Sequence, residues 1–529
     1  MASFLFKKLN STTGGAALLV AVFSFLSDLV ALFRERLLAS RFGAGDALDV
    51  YYAAFRLPDF LFQTFILGAL GAAFVPVFIG LYSKDKQRGW QLAGSLLWLL
   101  ILIMLIASII LFFIAPWIIP WFVPGFSPAK QAETILLTRV MLIGITFLTA
   151  SNVFSATLHS LRRFVAASLA PILYNLGIII GIVFFEPRFG LIGLAWGVVL
   201  GAVLHALSQI PALIKVGLRL TPQFFWNLPE LKQIFKLMGP RVFSLAVSQV
   251  SQTIITAVSS TLVLGSVAMY NLATNLVSVP VGIIGVSMAI ASFPLFSQSV
   301  VNETAADFAK HFSWVVRRIL YMIIPITVLF ILLRAQIVRL VYGAGKFTWT
   351  DTIGTFQIFA VLSLSLFAQA LLPVLIRAFF AHQDTKTPVA INIITVALQS
   401  LLAWRWGSEY GILGVAPAVS IGFIISLLLF YLILRIKTGA LEEKEIFRAI
   451  LRISLASLLM AIVVQLAKTG IGSTLEHVDP LATKTFLGVL IQGGLAGGLG
   501  LLFYIVFTIA LRFPEVAVIT DRLKRGNAA

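Results

Sequence analysis

The sequence predicts an all-α membrane protein of about fourteen transmembrane helices, set out as two lobes of about six helices in parallel pseudo-repeat plus two C-terminal helices. Three observations carry this. Of 529 residues, 60% are hydrophobic and only 11% charged, where soluble domains carry roughly half and a quarter. The apolar residues fall in continuous runs such as Leu96 to Ile114, close to the ~20 residues that cross a hydrocarbon core as a helix. Lys and Arg gather in alternate loops between those runs. Lipid offers the backbone no hydrogen-bond partner, so runs without strict alternation must be helices and not isolated strands.

Gly14 to Phe33 supplies the first span. It follows Lys7 and Lys8 as a signal peptide would, but it has full span length, ends on Arg34-Glu35-Arg36 and lacks a small-residue cleavage site. It therefore reads as a retained helix. Further spans are expected at roughly 50–81, 91–114, 134–157, 165–185, 190–214, 239–263, 267–298, 316–333, 354–378, 388–404, 411–434, 451–467 and 485–511. The second and eighth are long enough to bend, with Pro58, Pro76, Pro280 and Pro294 as bend points.

One set of loops holds Lys84/Lys86/Arg88, Arg162/Arg163, Lys215 to Arg241, Lys310 to Arg318, Arg377/Lys386 and Arg435 to Arg452. The positive-inside rule places these in the cytoplasm, together with both termini and the tail Arg512, Arg522, Lys524 and Arg525. Residues 115–131 and 335–352 then lie outside. Trp90, Trp117 and Trp121 flank the third span, as interfacial aromatics do. Tyr52, Pro76 and Phe78 recur as Tyr270, Pro294 and Phe296, and His159/Arg163 as His382/Lys386, each on the same membrane side. Such a repeat is parallel, about an axis along the membrane normal. The resulting division is an N-lobe at 1–214, a cytoplasmic linker at 215–238, a C-lobe at 239–435, and the last two helices with a tail at 436–529.

The net charge of +18 is spread between spans and forms no nucleic-acid stripe. The absence of cysteine removes disulfides, thiolate metal sites and Cys nucleophiles. His159, His205, His311, His382 and His477 are scattered without metal-ligand spacing, and there is no phosphate-loop run or hydrolase constellation. These exclusions favour a transporter over an enzyme, with no cofactor or metal, driven by ion coupling or the membrane potential.

Charges inside lipid-embedded helices are costly and need a reason. Asp28 lies within the first span: it is a proton or cation site, a gating or pairing partner for Arg34 or Arg56, or a residue at a wet surface. Arg34, Arg36 and Arg56 carry guanidinium forks suited to phosphate. The alternatives are an interfacial network with Glu35 and Asp49, and snorkelling for Arg36 and Arg56. Asp49 and Asp59 bracket the start of the second span, where Asp49 also suits the helix dipole. Asn271, Asn275, Gln249 and Gln252 hydrogen-bond sugars or amides, or glue helices together. No acidic residue falls mid-membrane between about 239 and 434, which argues against a carboxylate ion site there.

Arg34-Glu35, Phe42-Gly43-Ala44-Gly45, Asp49, Ala54-Phe55-Arg56-Leu57-Pro58 and Ala73-Phe74-Val75-Pro76-Val77-Phe78 run in order along the chain. Gly265-Ser266-Val267, Gly345-Lys346-Phe347-Thr348 and His382-Gln383-Asp384-Thr385-Lys386-Thr387-Pro388-Val389 follow. In these blocks the sequence resembles the MurJ/MviN lipid II flippase family of the multidrug/oligosaccharidyl-lipid/polysaccharide exporter superfamily. The resemblance implies a central cavity lined by helices 1, 2, 7 and 8, and a lipid-tail groove beside helices 13 and 14. It also implies the family's activity: moving a polyprenyl-diphosphate-linked cell-wall precursor from the cytoplasmic to the periplasmic leaflet by alternating access, in peptidoglycan biosynthesis. Partners are then the lipid-linked saccharide and membrane lipids, for a monomer in the bacterial inner membrane. Substrate-binding candidates are Arg34, Glu35, Asp49, Arg56, Asp59 and Asn275. The chain departs from the family pattern at Asp28, Phe62 and Asn275, which stand where arginines are expected, and at Leu67 and Ser278, which stand where glutamates are expected. Those departures keep three alternatives open: export of another lipid-linked oligosaccharide, cation-coupled drug antiport, and a non-transporting membrane scaffold.

Overall fold

Helix ends in this chain are set by short-range chemistry. Gly43 takes φ +67°, a left-handed conformation that closes the first helix, and its N–H returns to the Ala39 carbonyl at 2.8 Å. Asp85 caps the helix after the basic loop by accepting from the Gln87 and Arg88 N–H groups at 2.8 and 3.1 Å. Thr304 with Asp307, and Thr348 with Asp351, form reciprocal capping boxes.

A computed structural model describes residues 13–67, 73–218, 228–302, 304–478 and 485–516. Lys7, Lys8, Arg522, Lys524, Arg525 and residues 219–227 of the expected linker lie outside them. Among the described residues there are helices and no strand. In order they are α1 (Thr13–Phe42), α2 (Asp46–Leu61), a π-helical segment (Phe62–Leu67), α3 (Val75–Tyr82), α4 (Lys86–Phe122), α5 (Pro128–Ser160) and α6 (Phe164–Ile180). A second π segment (Gly181–Phe185), α7 (Glu186–Phe189), α8 (Leu191–Leu207), α9 (Ile210–Lys215), α10 (Pro229–Ser260) and α11 (Ser266–Pro280) follow. A third π segment (Val281–Val286) leads to α12 (Ser287–Asn302), α13 (Ala305–Leu332), α14 (Arg334–Tyr342), α15 (Trp349–Ser363) and α16 (Leu366–Ala381). The chain continues through α17 (Lys386–Tyr410), α18 (Ile412–Thr438), α19 (Glu443–Val478) and α20 (Phe486–Ala510).

By length and composition, 10 described helices can cross a membrane, or up to 11 when the bent pair α15 and α16 counts as one span. The chain is thus a multi-pass membrane protein. Its outward faces are apolar: Leu105, Ile106, Ile109, Ile110 and Phe113 of α4 are all exposed, as a lipid-facing stripe must be. Trp117 and Trp121 are exposed as expected, but Trp90 is buried, edge-on to Phe78 and Tyr82, so packing and not the interface claims it. π segments stand near two of the expected bend points, one beginning four residues after Pro58 and another directly after Pro280, whereas Pro76 lies in the first turn of α3 and Pro294 inside the continuous α12.

Packing divides the chain into two compact units, Met1–Ala268 and Met269–Ala529. The span expected from 239 begins at Pro229, and as α10 it packs on α2, the first π segment and α4 within the first unit. In that unit α6 and α8 approach closely. A Cβ on Gly177 would lie 2.3 Å from Gly201 Cα, and one on Gly181 would lie 2.5 Å from Gly197 Cα. Small residues allow this contact in lipid, where van der Waals packing drives association. In the second unit α16 crosses the third π segment at Gly285, whose Cβ would meet the Ala370 carbonyl at 2.6 Å. The last two helices are tied to the same unit: Tyr504 Oη donates to the Tyr321 carbonyl at 2.9 Å, and Lys468 Nζ donates to the Leu332 carbonyl at 3.1 Å.

Candidate functional site

The Arg34-Glu35-Arg36 sequence was expected to end the first span, but α1 continues through it to Phe42. The helix can do so because its charges are satisfied sideways. Arg34 Nη1 donates to Asn175 Oδ1 of α6 at 2.7 Å, Arg34 Nη2 donates to Glu35, and Tyr52 Oη donates to the other Glu35 oxygen. Asn175 is fixed in turn, donating to the Pro171 carbonyl at 3.0 Å. Glu35 is 3% exposed, so a bare carboxylate there would be prohibitive; the Arg–Glu–Tyr arrangement removes that cost. Arg34 Nε is buried and has no acceptor among the described residues.

Beside this network the first unit encloses a cavity of about 350 Å³, lined by α2, the first π segment, α5, α6 and α8. Its polar wall is Asp59, Gln63, Asn152, Tyr174, Asn175 and His205. Arg34 and Arg56 both lie close enough to act electrostatically on Asp59. His205 Nδ1 pairs with Ser151 Oγ at 2.5 Å, Gln209 donates to the same hydroxyl, and Ser155 donates to Gln209 at 2.9 Å. A polar seam of this kind inside a membrane bundle is where ionisable groups are tolerated.

The remaining candidates are distributed differently. Asp49 is 3% exposed and accepts from the Gly265 and Ala268 N–H groups at 2.9 and 2.8 Å, with Lys130 Nζ at 3.7 Å. That is the work of a helix tether, and Lys130 also pairs with Asp46. Asp28 is exposed on α1, and the Arg34 bonds go to Asn175 and Glu35 instead of to it. Asn275 lies on α11 in the second unit, partly buried, and its carbonyl accepts from Ser278 at 2.7 Å. Arg34, Glu35, Arg56 and Asp59 therefore come together within the first unit, where Asp28 and Asp49 have other surroundings; Asn275 belongs to the second unit.

Sequence reading missed Asn175, Tyr174, Tyr52 and His205. The signal for Asn175 was available: it is one of the few strongly polar residues between Phe164 and Ile180, three residues after Ile172 and two before Gly177. The block at 382–389 has a structural task as well. Asp384 accepts from the Lys386 and Thr387 N–H groups at 3.1 and 3.0 Å, from Thr387 Oγ1 at 2.6 Å, and from Lys437 of α18. Burial pushes the Asp384 carboxyl up, but the bonds from Lys437 and Thr387 outweigh this and hold it at about 2.

The family model for the lipid II flippase MurJ matches residues 38–476. A Buchnera aphidicola (subsp. Acyrthosiphon pisum) protein named "Probable lipid II flippase MurJ" is 30% identical over 452 residues, covering 84% of this chain and 88% of its own. The Burkholderia cenocepacia lipid II flippase MurJ is 27% identical over 434 residues, covering 79% of this chain and 83% of its own. A solved structure of the lipid II flippase MurJ in an inward closed conformation superposes with a TM-score of 0.76 at 27% identity, covering 94% of this chain and 100% of its own. An inward-facing MATE-family multidrug transporter superposes at 0.69 with 18% identity, over 79% of this chain and 96% of its own, and shares the fold. With its helical membrane architecture and the family model matched over most of its length, the chain belongs to the MurJ lipid II flippase family.

Proposed function

We propose that this protein carries lipid II from the cytoplasmic to the periplasmic leaflet of the bacterial inner membrane by alternating access, as a monomer with both termini in the cytoplasm. The observation that supports this most directly is the Arg34–Glu35–Asn175 network beside a polar cavity inside a membrane-spanning unit. A diphosphate-sugar headgroup needs such a polar, cation-bearing enclosure, because hydrocarbon rejects it, while a polyprenyl tail is already at home in lipid. Arg34 and Arg56 would meet the diphosphate with forked, permanently charged donors. Glu35 and Asn175 would hold Arg34 in position before the substrate arrives, which lowers the ordering cost of binding. Gln63 and Asn152 offer hydrogen-bonding groups for the sugar and its amides. The Δψ across the membrane, ~2.3 kcal/mol per charge per 100 mV, is a sufficient driving force for an anionic cargo.

The apolar Phe62 and the neutral Asn275, where the family pattern has arginines, favour one second reading: a different lipid-linked oligosaccharide as cargo. Two measurements separate the readings. Rescue of growth in a bacterium depleted of its own lipid II flippase, with lipid II movement in proteoliposomes, supports the first. Failure of both at normal expression, with movement of another diphosphate-linked glycolipid, would establish the second.

A further inference from the structure

Asp59 differs from every other carboxylate near the site. Glu35 is bonded by Arg34 and Tyr52, and Asp49 by two backbone N–H groups and Lys130. Asp59 faces the cavity and, among the described residues, takes part in no hydrogen bond or ion pair; its compensation is the field of Arg56 and Arg34. Arg34 is also the partner of Glu35, so Asp59 shares that cation with a second carboxylate. A diphosphate diester, whose ionisation does not change near neutral pH, brings further negative charge to the same guanidinium groups. Two anions that compete for one pair of cations in a low dielectric repel strongly. The carboxylate with no hydrogen bonds to lose is the one that yields.

We propose that Asp59 is a proton-linked stand-in for the substrate's phosphate: ionised, it neutralises Arg34 and Arg56 before substrate binds, and it takes up a proton from solvent when a diphosphate replaces it. This rests on the lipid II reading and adds the regulation of that same site. The proton is bound at a carboxylate oxygen and no other bond is made or broken. By linkage, substrate binding favours protonation and protonation favours substrate binding by the same factor.

The ionisable groups around Asp59 are known from every packed element. They are Arg34 and Glu35 on α1, Arg56 and Tyr51 on α2, Tyr174 on α6 and His205 on α8. α5 and the first π segment line the cavity with no ionisable group, their polar side chains there being Asn152 and Gln63. On α10, Glu230, Lys232 and Lys236 lie in the first turns, with Glu230 paired to Arg88 at 3.5 Å. His205 is the one other group here that ordinarily titrates near neutral pH, and it is the control.

The experiment measures lipid II binding to the full-length protein in lipid nanodiscs as a function of pH. Wild type is expected to bind more tightly as pH falls, approaching tenfold per pH unit for one linked proton. Asp59→Asn is expected to bind at high pH as tightly as wild type does at low pH, with no pH dependence, whereas His205→Gln keeps the dependence. Wild-type binding that ignores pH overturns the linkage and leaves the flippase reading intact, and so does a dependence that survives Asp59→Asn or disappears only in His205→Gln. No binding of lipid II at any pH overturns the flippase reading and this proposal with it. Should Asp59→Asn not fold, proton uptake on adding lipid II to wild type in weak buffer decides the matter. About one proton per lipid II is expected, and none overturns the proposal.

Discussion

Asp49 accepts a hydrogen bond from the Ala268 N–H at 2.8 Å, across more than two hundred residues of sequence, and joins the first turn of α2 to the first turn of α11. The Gly265 N–H reaches the same carboxylate at 2.9 Å, from a residue whose φ of +83° turns the chain toward it. The family block at 265–267 and the family residue Asp49 thus meet in one contact. Charge-assisted bonds of this kind contribute about 1.5–3 kcal/mol each. Asp49→Ala is expected to cost about 3 kcal/mol, and Asp49→Asn about half of that because one acceptor remains. Thermal unfolding in detergent checks both; an unchanged Asp49→Ala would remove the tether from the account.

Arg34→Lys keeps a positive charge but cannot bond Asn175 and Glu35 while presenting a fork to phosphate. Transport is expected to fall by about ten- to a hundredfold, the worth of one charge-assisted bond. Arg34→Leu should in addition destabilise the fold by about 3 kcal/mol, the low end for a broken buried pair, since Arg34 remains 19% exposed. Flipping assays and melting curves on both variants separate the two effects. Full activity of Arg34→Lys at equal expression would reduce Arg34 to an anchor.

Gly201 sits where α8 presses on α6, and a Cβ there would come within 2.4 Å of the Tyr174 carbonyl. Gly201→Ala should force the helices apart at a cost of about 1–3 kcal/mol. It should also move Tyr174, Asn175 and His205 relative to one another, because those two helices carry them. A lower melting temperature with weaker lipid II binding is the expected result.

Asp384→Asn tests the cap on α17. The Asp384 carboxyl is held at about 2, below its ordinary value, so its stabilisation is fully present above pH ~4 and is lost as pH falls through ~2. The variant is expected to lose about 2 kcal/mol at neutral pH and to converge with wild type toward pH ~2. Equal stability at neutral pH would show that Lys437 and Thr387 contribute nothing through Asp384.

The lack of native cysteine makes topology directly testable. A single cysteine at Lys86 should resist impermeant thiol reagents added to intact cells, whereas one at the exposed Ala129 should react. Labelling at Lys86 from outside would reverse the orientation.

Much of the architecture was legible in order of residues alone. Apolar length and lipid's inability to hydrogen-bond a backbone leave no choice but helices, and π segments follow Pro58 and Pro280. The ordered blocks from Arg34 to Val389 also pointed to the family, and Arg34, Glu35, Arg56 and Asp59 were recognised as charges that need partners. Which partners they take is a matter of tertiary structure. Asn175 lies 141 residues from Arg34 in sequence, and Gly265 lies 216 from Asp49. Hydropathy is blind to such pairs because it averages over a window and carries no information on the rotation of one helix against another. The contact of Gly177 and Gly181 with Gly201 and Gly197 fixes the helix that brings Asn175 to Arg34, and the placement of Gly265 and Ala268 beside Asp49 makes that carboxylate a tether, while Asp59 faces the cavity.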